Sequence, residues 1–390
     1  MNKMGLVYLL AFGAFVMGTA EMVVMGILGM ISNDLNVSVG TAGQLVTLYA
    51  VVFAIGTPIL VSFTGKMKRK RLLLLTFTLF VIGNLVAFFS PNFTVLMISR
   101  MILAASQGVF TVVALMVGSS LVEPQKQGNA IGIIYMGFST ALVAGTPLGT
   151  IIGEYWGWRP VFMLIAALSV LAMIGIAAWM PKVQEQKPTS IRDQLLALKD
   201  RRMVSGLMIT FFWIAGYQLM FTYIAPFLET AVGMNTTMIS TALFVCGLFA
   251  VMGSRLGGYG ADKWGIGKTL LISLLLHAAA LAVLPLAAAT MVSALIILAV
   301  WFGAAWMTTP AQQYYLISLS PKTSGLALGL NSSMLQLGMA VGAGVGGWVA
   351  NQTSLMQLGW VGAVSILLSV ITALYSFSLK SRKEESVLSN

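Results

Sequence analysis

The stretch Phe15-Val-Met-Gly-Thr-Ala-Glu21-Met-Val-Val-Met-Gly26 lies in an apolar run with no other charge between Lys3 and Asp34. A run of this length crosses a hydrocarbon core of about 30 Å as a helix. An ionisable group inside such a helix is costly enough to mark a functional site by default. Glu21 thus points to a membrane-spanning helical protein and supplies its first candidate for proton chemistry.

The rest of the chain repeats the pattern. Of 390 residues, 58% are hydrophobic and 8% charged, whereas about a quarter of an average soluble composition is charged. Apolar segments recur near residues 5–30, 42–63, 71–90, 93–120, 130–153, 160–180, 204–228, 237–258, 269–289, 291–317, 325–350 and 357–379. These predict an all-α membrane protein of twelve transmembrane helices, with both termini on one face. The N-terminal run continues to Met30 without a small-residue cleavage site and reads as a retained first span.

Charge gives the direction. Of the 22 lysines and arginines, all but Arg100 and Arg159 fall on the face that carries the termini. They include Lys66, Lys68, Arg69, Lys70 and Arg71 after span 2, and Lys182, Lys187, Arg192, Lys199, Arg201 and Arg202 after span 6. By the positive-inside rule both termini are cytoplasmic. The net charge of +11 then reports topology and does not imply a nucleic-acid partner. Cys246 is the single cysteine and reads as a small packing residue.

The longest polar interruption, 181–203, divides the spans six and six. It suggests an N-terminal bundle over 1–180, a cytoplasmic linker over 181–203, a C-terminal bundle over 204–379 and a cytoplasmic tail over 380–390. Within the linker, Ser190 and Asp193 resemble a capping box, and the segment after them suits a short amphipathic helix on the inner leaflet.

Parallel repeats relate the halves of one major class of transporters. An offset of 197 residues places Gly56 over Gly253, Gly65-Lys66 over Asp262-Lys263, and Gly132, Gly145 and Gly149 over Gly329, Gly342 and Gly346. It also places Glu21 over Gln218. Matches in spans 1, 2 and 5 at one offset predict two pseudo-symmetric six-helix halves.

The loop Gly257-Gly258-Tyr-Gly260-Ala-Asp262-Lys263-Trp-Gly265 resembles the signature loop of the major facilitator superfamily. Leu96-Met-Ile-Ser-Arg100 through Gln107-Gly108 is similar to the family's span-4 motif, and Gly145-Thr-Pro147-Leu-Gly149 partly matches its antiporter motif. The chain resembles the twelve-span drug:proton antiporter branch over nearly its whole length. Ala225-Pro226-Phe227-Leu228-Glu229 and Pro310-Ala-Gln312-Gln313 look closest to bacterial purine base and nucleoside efflux pumps, then to arabinose-type sugar exporters.

The resemblance implies alternating access in a bacterial cytoplasmic membrane by a monomer, with protons and a small-molecule substrate as partners. It implies a central cavity lined by spans 1, 4, 7 and 10, and an inner gate latched by Asp262 and Lys263. Gly145, Pro147 and Gly149 join the gating set. The first copy of the signature loop has Gly65 where the aspartate belongs, which leaves the C-terminal copy to carry the latch.

Helix rise offers an independent test. Glu21 lies 14 residues beyond Val7, about 21 Å along an outward span, leaving about 9 Å to the outer edge. Arg100, seven residues into an inward span, lies about 10 Å below the same edge, and Gln218 is about 21 Å from the inside. These three groups share one layer. Burial favours a neutral carboxyl and a nearby guanidinium favours the charged form, so Glu21 and Arg100 are the candidate proton-coupling pair. Whether Arg100 meets Glu21, a helix-end carbonyl or Gln107 is open at this level.

Around the layer, Trp213, Tyr217, Gln218 and Tyr223 of span 7 and Trp301 and Trp306 of span 10 suit a flat heterocycle or an amphipathic drug. Gln107, Asn331 and Gln336 are further polar candidates for substrate contact. His277, in a peripheral span beside three alanines, reads as a packed histidine. Gly338, Gly342 and Gly346 permit close helix approach, either as a rocking contact between halves or as plain packing.

One histidine, one cysteine and no clustered carboxylates leave no metal or nucleophile constellation, so neither enzyme chemistry nor a cofactor is expected. No Gly-x-x-x-x-Gly-Lys-Ser/Thr loop is present to bind a nucleotide. The expectation is proton-coupled export of small organic solutes, drug-like compounds or purine bases and nucleosides. Sugar efflux and inward proton symport are the alternatives.

Overall fold

In hydrocarbon every backbone N–H and C=O must be satisfied within its own segment, which leaves the helix as the spanning unit for such runs. The computed structural model describes residues 3–37, 39–181, 199–321 and 324–379. Among these residues are twelve helices long and apolar enough to cross a membrane. They are α1 (Lys3–Asp34), α2 (Val39–Phe63), α3 (Arg69–Phe88), α4 (Phe93–Leu121), α5 (Gln127–Thr140, continued by Thr146–Trp156) and α6 (Trp158–Trp179) in the first half. The second half has α7 (Arg201–Phe221, resumed over Ile224–Val232), α8 (Thr236–Lys263), α9 (Ile266–Ala287), α10 (Met291–Leu319), α11 (Ser324–Gln352) and α12 (Gln357–Ser378).

Helix starts follow the polar residues between spans. Asn92 accepts from Val95 N at 3.1 Å and Asn235 from Met238 N at 2.9 Å, capping α4 and α8. Asp200 caps α7 through Arg202 N at 2.8 Å. Each replaces a hydrogen bond that the first turn cannot make for itself.

Two prolines modify the spans. Span 7 is not continuous over 204–228 as expected. It breaks at Thr222 and Tyr223, four residues before Pro226, whose ring lacks an N–H and crowds the Thr222 carbonyl. In α5, Pro147 cannot donate to Val143, and the helix widens into a π turn over Ala141–Gly145.

The two halves repeat one packing scheme. α1 packs on α5 and α6, α2 on α4, and α3 on α6; correspondingly α7 packs on α11 and α12, α8 on α10, and α9 on α12. The halves meet along two seams, α5 with α8 and α2 with α11. The 197-residue offset exchanges these seams, as a pseudo-two-fold axis between six-helix bundles requires. Ser190, Asp193 and the anticipated amphipathic helix lie outside the described residues, as do Lys182, Lys187, Arg192 and the tail from 380 onward.

Candidate functional site

Glu21 is partly exposed on α1, and its Oε2 accepts a short hydrogen bond from Gln107 Nε2 on α4. Tyr49 Oη on α2 donates to Gln107 Oε1 at 2.6 Å, which leaves Nε2 to face the carboxyl. Because Oε2 acts purely as acceptor, this bond survives whether or not the other carboxyl oxygen carries a proton.

Arg100 is 1% exposed and makes no ion pair among the described residues. The partners found are none of the three left open by the sequence: they are backbone carbonyls in the middle of α1. Nη1 donates to Ala20 O at 2.8 Å and Nη2 to Glu21 O at 3.4 Å. The guanidinium also lies 4.1 Å from the centroid of the Tyr49 ring, a cation–π contact that suits a desolvated Arg. Arg100 therefore ties α4 to the α1 backbone and leaves the Glu21 carboxyl to Gln107.

Tyr49 is the residue that sequence reading missed. The rise arithmetic used for Arg100 would have found it: seven residues into span 2, it too sits about 10 Å below the outer edge.

The C-terminal candidates divide. Gln218 is partly exposed and donates to Thr222 Oγ1 at 2.9 Å. Trp306 is partly exposed and touches the apolar cores of both halves. Gln336 is also partly exposed. Trp213 and Trp301, by contrast, are buried in the second core, where Trp301 Nε1 donates to His277 Nε2 at 2.8 Å. Tyr217 is buried beside them, its ring 5.1 Å from Phe221 and 5.4 Å from Trp301. Tyr223 Oη reaches Ala343 O at 3.2 Å and so joins α7 to α11.

Asn331 belongs to a separate buried network. It accepts from Thr210 Oγ1 at 2.6 Å, while Gln312 Nε2 donates to Thr210 Oγ1 at 2.9 Å and Gly206 O at 2.7 Å. At the 197-residue offset Thr210, Gln312 and Asn331 correspond to Gly13, Leu115 and Ile134, and Tyr49, Arg100 and Gln107 correspond to Cys246, Ile297 and Ala304. Each half thus has its own polar cluster. The first lies toward the face opposite the termini and the second toward the termini.

The seams close on the termini side. Asp262 accepts from Gly128 N at 2.8 Å and Asn129 N at 2.7 Å, across the seam at the start of α5. Those amides have no partner within their own helix, and the positive end of the helix dipole favours the carboxylate. Lys263 stays exposed. The equivalent seam lacks the aspartate. Gly325 there meets Met116 and Val61, and Ser333 Oγ donates to Ala54 O at 2.5 Å. On the Asp262 side, Tyr314 Oη of α10 donates to Pro124 O, just before α5, at 2.9 Å.

The glycines of the partial antiporter motif and their span-11 counterparts pack within one half. Gly145 faces Thr19 and Gly149 faces Val23, both on α1; Gly338, Gly342 and Gly346 face the α7 backbone. Pro147, between Gly145 and Gly149, is exposed. The inter-half glycine contact brings Gly128 and Gly132 against Gly258: a Cβ on Gly132 would stand 2.7 Å from Ser254 O and 2.9 Å from Gly258 Cα.

Twelve spans in two related halves, meeting along two exchanged seams, define a secondary transporter and not an enzyme. Residues 10–323 match the model of the Major Facilitator Superfamily, and the chain belongs to that family. It is 38% identical over 377 residues to the uncharacterized MFS-type transporter YbcL of Bacillus subtilis, covering 97% of each chain. It is 28% identical over 378 residues to the inner membrane transport protein YdhP of Escherichia coli K12, covering 97% of this chain and 96% of that one. Its fold matches a crystal structure of the MFS transporter FucP in the outward conformation, with TM-score 0.76 and 16% identity over 96% of this chain and 99% of that one.

Proposed function

We propose that this transporter exports small organic solutes, drug-like compounds or purine bases and nucleosides, in exchange for protons, with Glu21 as the titrating group. One observation carries the reading. The Glu21 carboxyl is partly exposed and held by a neutral amide, while the nearby cation is engaged by backbone carbonyls. A carboxyl held in this way takes up or releases a proton without breaking an ion pair.

Substrate binds between the Glu21 layer of the first half and Gln218, Trp306 and Gln336 of the second. Trp213, Tyr217 and Trp301 form the buried aromatic wall behind them. Residues 1–180 and 204–379 rock as two bodies of a monomer about the α5–α8 and α2–α11 seams, and the Asp262 latch holds the cytoplasmic side shut. The termini face the cytoplasm, as the basic loops favour. Proton entry from outside and solute exit through the same cavity compete for it, which gives antiport.

The test is direction. An imposed proton gradient is expected to drive labelled purines or a fluorescent cation into inverted vesicles. Gradient-driven accumulation in right-side-out vesicles would instead establish inward symport. A labelled sugar as the transported species would move the substrate reading to sugar efflux.

A further inference from the structure

A groove of about 470 Å³ runs down the lipid-facing seam between α7 and α12, remote from Glu21. Lys199 and Arg201 stand at its mouth, and Val204, Met208, Phe212, Thr372 and Tyr375 line it. We propose that this groove is a binding site for one anionic phospholipid, with the headgroup phosphate on Lys199 and Arg201 and an acyl chain between α7 and α12.

Charge and depth both fit that occupant. Lys199 and Arg201 are exposed and form no ion pair among the described residues. The neighbouring Asp200 does not neutralise them directly, because its carboxylate is turned into the helix cap on Arg202 N and Met203 N. Basic pockets between spans at the membrane surface are the usual form of an anionic headgroup site.

From Arg201 to Phe212 the helix descends about 16 Å, roughly half of the hydrocarbon core, as one acyl chain does. Tyr375, 48% exposed, places an amphipathic ring in the same groove, with its hydroxyl available to a headgroup oxygen. The floor is fixed. Ser205 bonds Ser376 at 2.8 Å, Ser369 bonds Ile209 O at 2.8 Å and Ser365 bonds Phe212 O at 2.7 Å, stitching α7 to α12. A lipid held here would brace the seam that joins the first and last spans of the second half.

The test is native mass spectrometry of the full-length chain in detergent, titrated with phosphatidylglycerol or phosphatidylcholine. One phosphatidylglycerol is expected to remain bound at concentrations where phosphatidylcholine does not. The double variant K199Q/R201Q should weaken it about thirtyfold, the effect of two surface charges. Met208→Trp, which narrows the channel and keeps the charges, should weaken it as well, and Lys268→Gln, on the same face at α9, should not.

Equal binding of the two lipids, or phosphatidylglycerol binding indifferent to K199Q/R201Q, overturns the proposal. So does full competition by inorganic phosphate, which would make this a simple anion site. Absence of any lipid adduct on the intact chain, as expected were the groove filled by its own residues 182–198, overturns it too. Equal thermal unfolding of the variants in lipid-free detergent confirms that each is folded.

Discussion

Arg100 holds the carbonyl oxygen of Ala20 at 2.8 Å, although the next residue along α1, Glu21, carries a carboxyl group. The cation is spent on backbone, and the carboxyl is bound by Gln107. Ordering of α1 against α4 and titration of the acid thereby fall to different groups, and the two jobs can be separated by mutation.

Glu21→Gln keeps an acceptor for Gln107 and removes the proton. Gradient-driven uptake into inverted vesicles is expected to fall to background, while exchange of labelled for unlabelled substrate without a gradient persists. Unchanged gradient-driven uptake would remove Glu21 from coupling.

Arg100→Ala should act on stability first. Hydrogen bonds to a charged donor are worth about 1.5–3 kcal/mol each, and the Tyr49 stacking is lost as well. Thermal unfolding of the purified protein should show a clear drop. Arg100→Lys should recover only part of it, because an ammonium lacks the planar fork that reaches two carbonyls over an aromatic face. An unchanged unfolding temperature in Arg100→Ala would contradict the bracing role.

Asp262→Ala should open the termini side. Two charge-assisted bonds at about 1.5–3 kcal/mol each shift a two-state equilibrium by more than about a hundredfold. The readout is thiol labelling of Ser139→Cys in a Cys246→Ser background, since Ser139 lies across the seam from Ser254 at 3.4 Å. Labelling should speed up in Asp262→Ala. Gly65→Asp, which supplies the missing carboxylate opposite the start of α11, should slow it.

Gly132→Ala and Gly346→Ala introduce equal crowding with different consequences. A Cβ at either would stand 2.7 Å from a carbonyl oxygen, of Ser254 across the seam or of Leu219 within the half. Gly132→Ala should raise Ser139→Cys labelling with little change in unfolding temperature. Gly346→Ala should lower the unfolding temperature and leave labelling near the parent rate. The reverse pattern would reassign the two glycines.

Much of this was legible along the chain because lipid leaves few choices. The spans follow from apolar runs bounded by Asn92, Asp200 and Asn235, and the duplicated halves follow from glycines at one offset. The break in span 7 was also written there, in Pro226. Asp262 resembled a latch by its motif, but its actual partners, the free amides of Gly128 and Asn129, carry no side-chain signature.

Helix rise set the depth of Glu21 and Arg100 and could not set their partners. Depth is a one-dimensional quantity, fixed by counting residues, whereas partner choice depends on rotation about each helix axis and on which neighbours crowd it. Those rotations placed Trp301 on His277 in the core, left Trp306 at the junction of the two halves, and brought in Tyr49. The amino-acid sequence by itself determined that the chain spans a membrane twelve times in two related halves with a carboxyl at one depth. Only tertiary packing decided that this carboxyl answers to an amide and the neighbouring guanidinium to the backbone, because directional hydrogen bonds are settled in three dimensions.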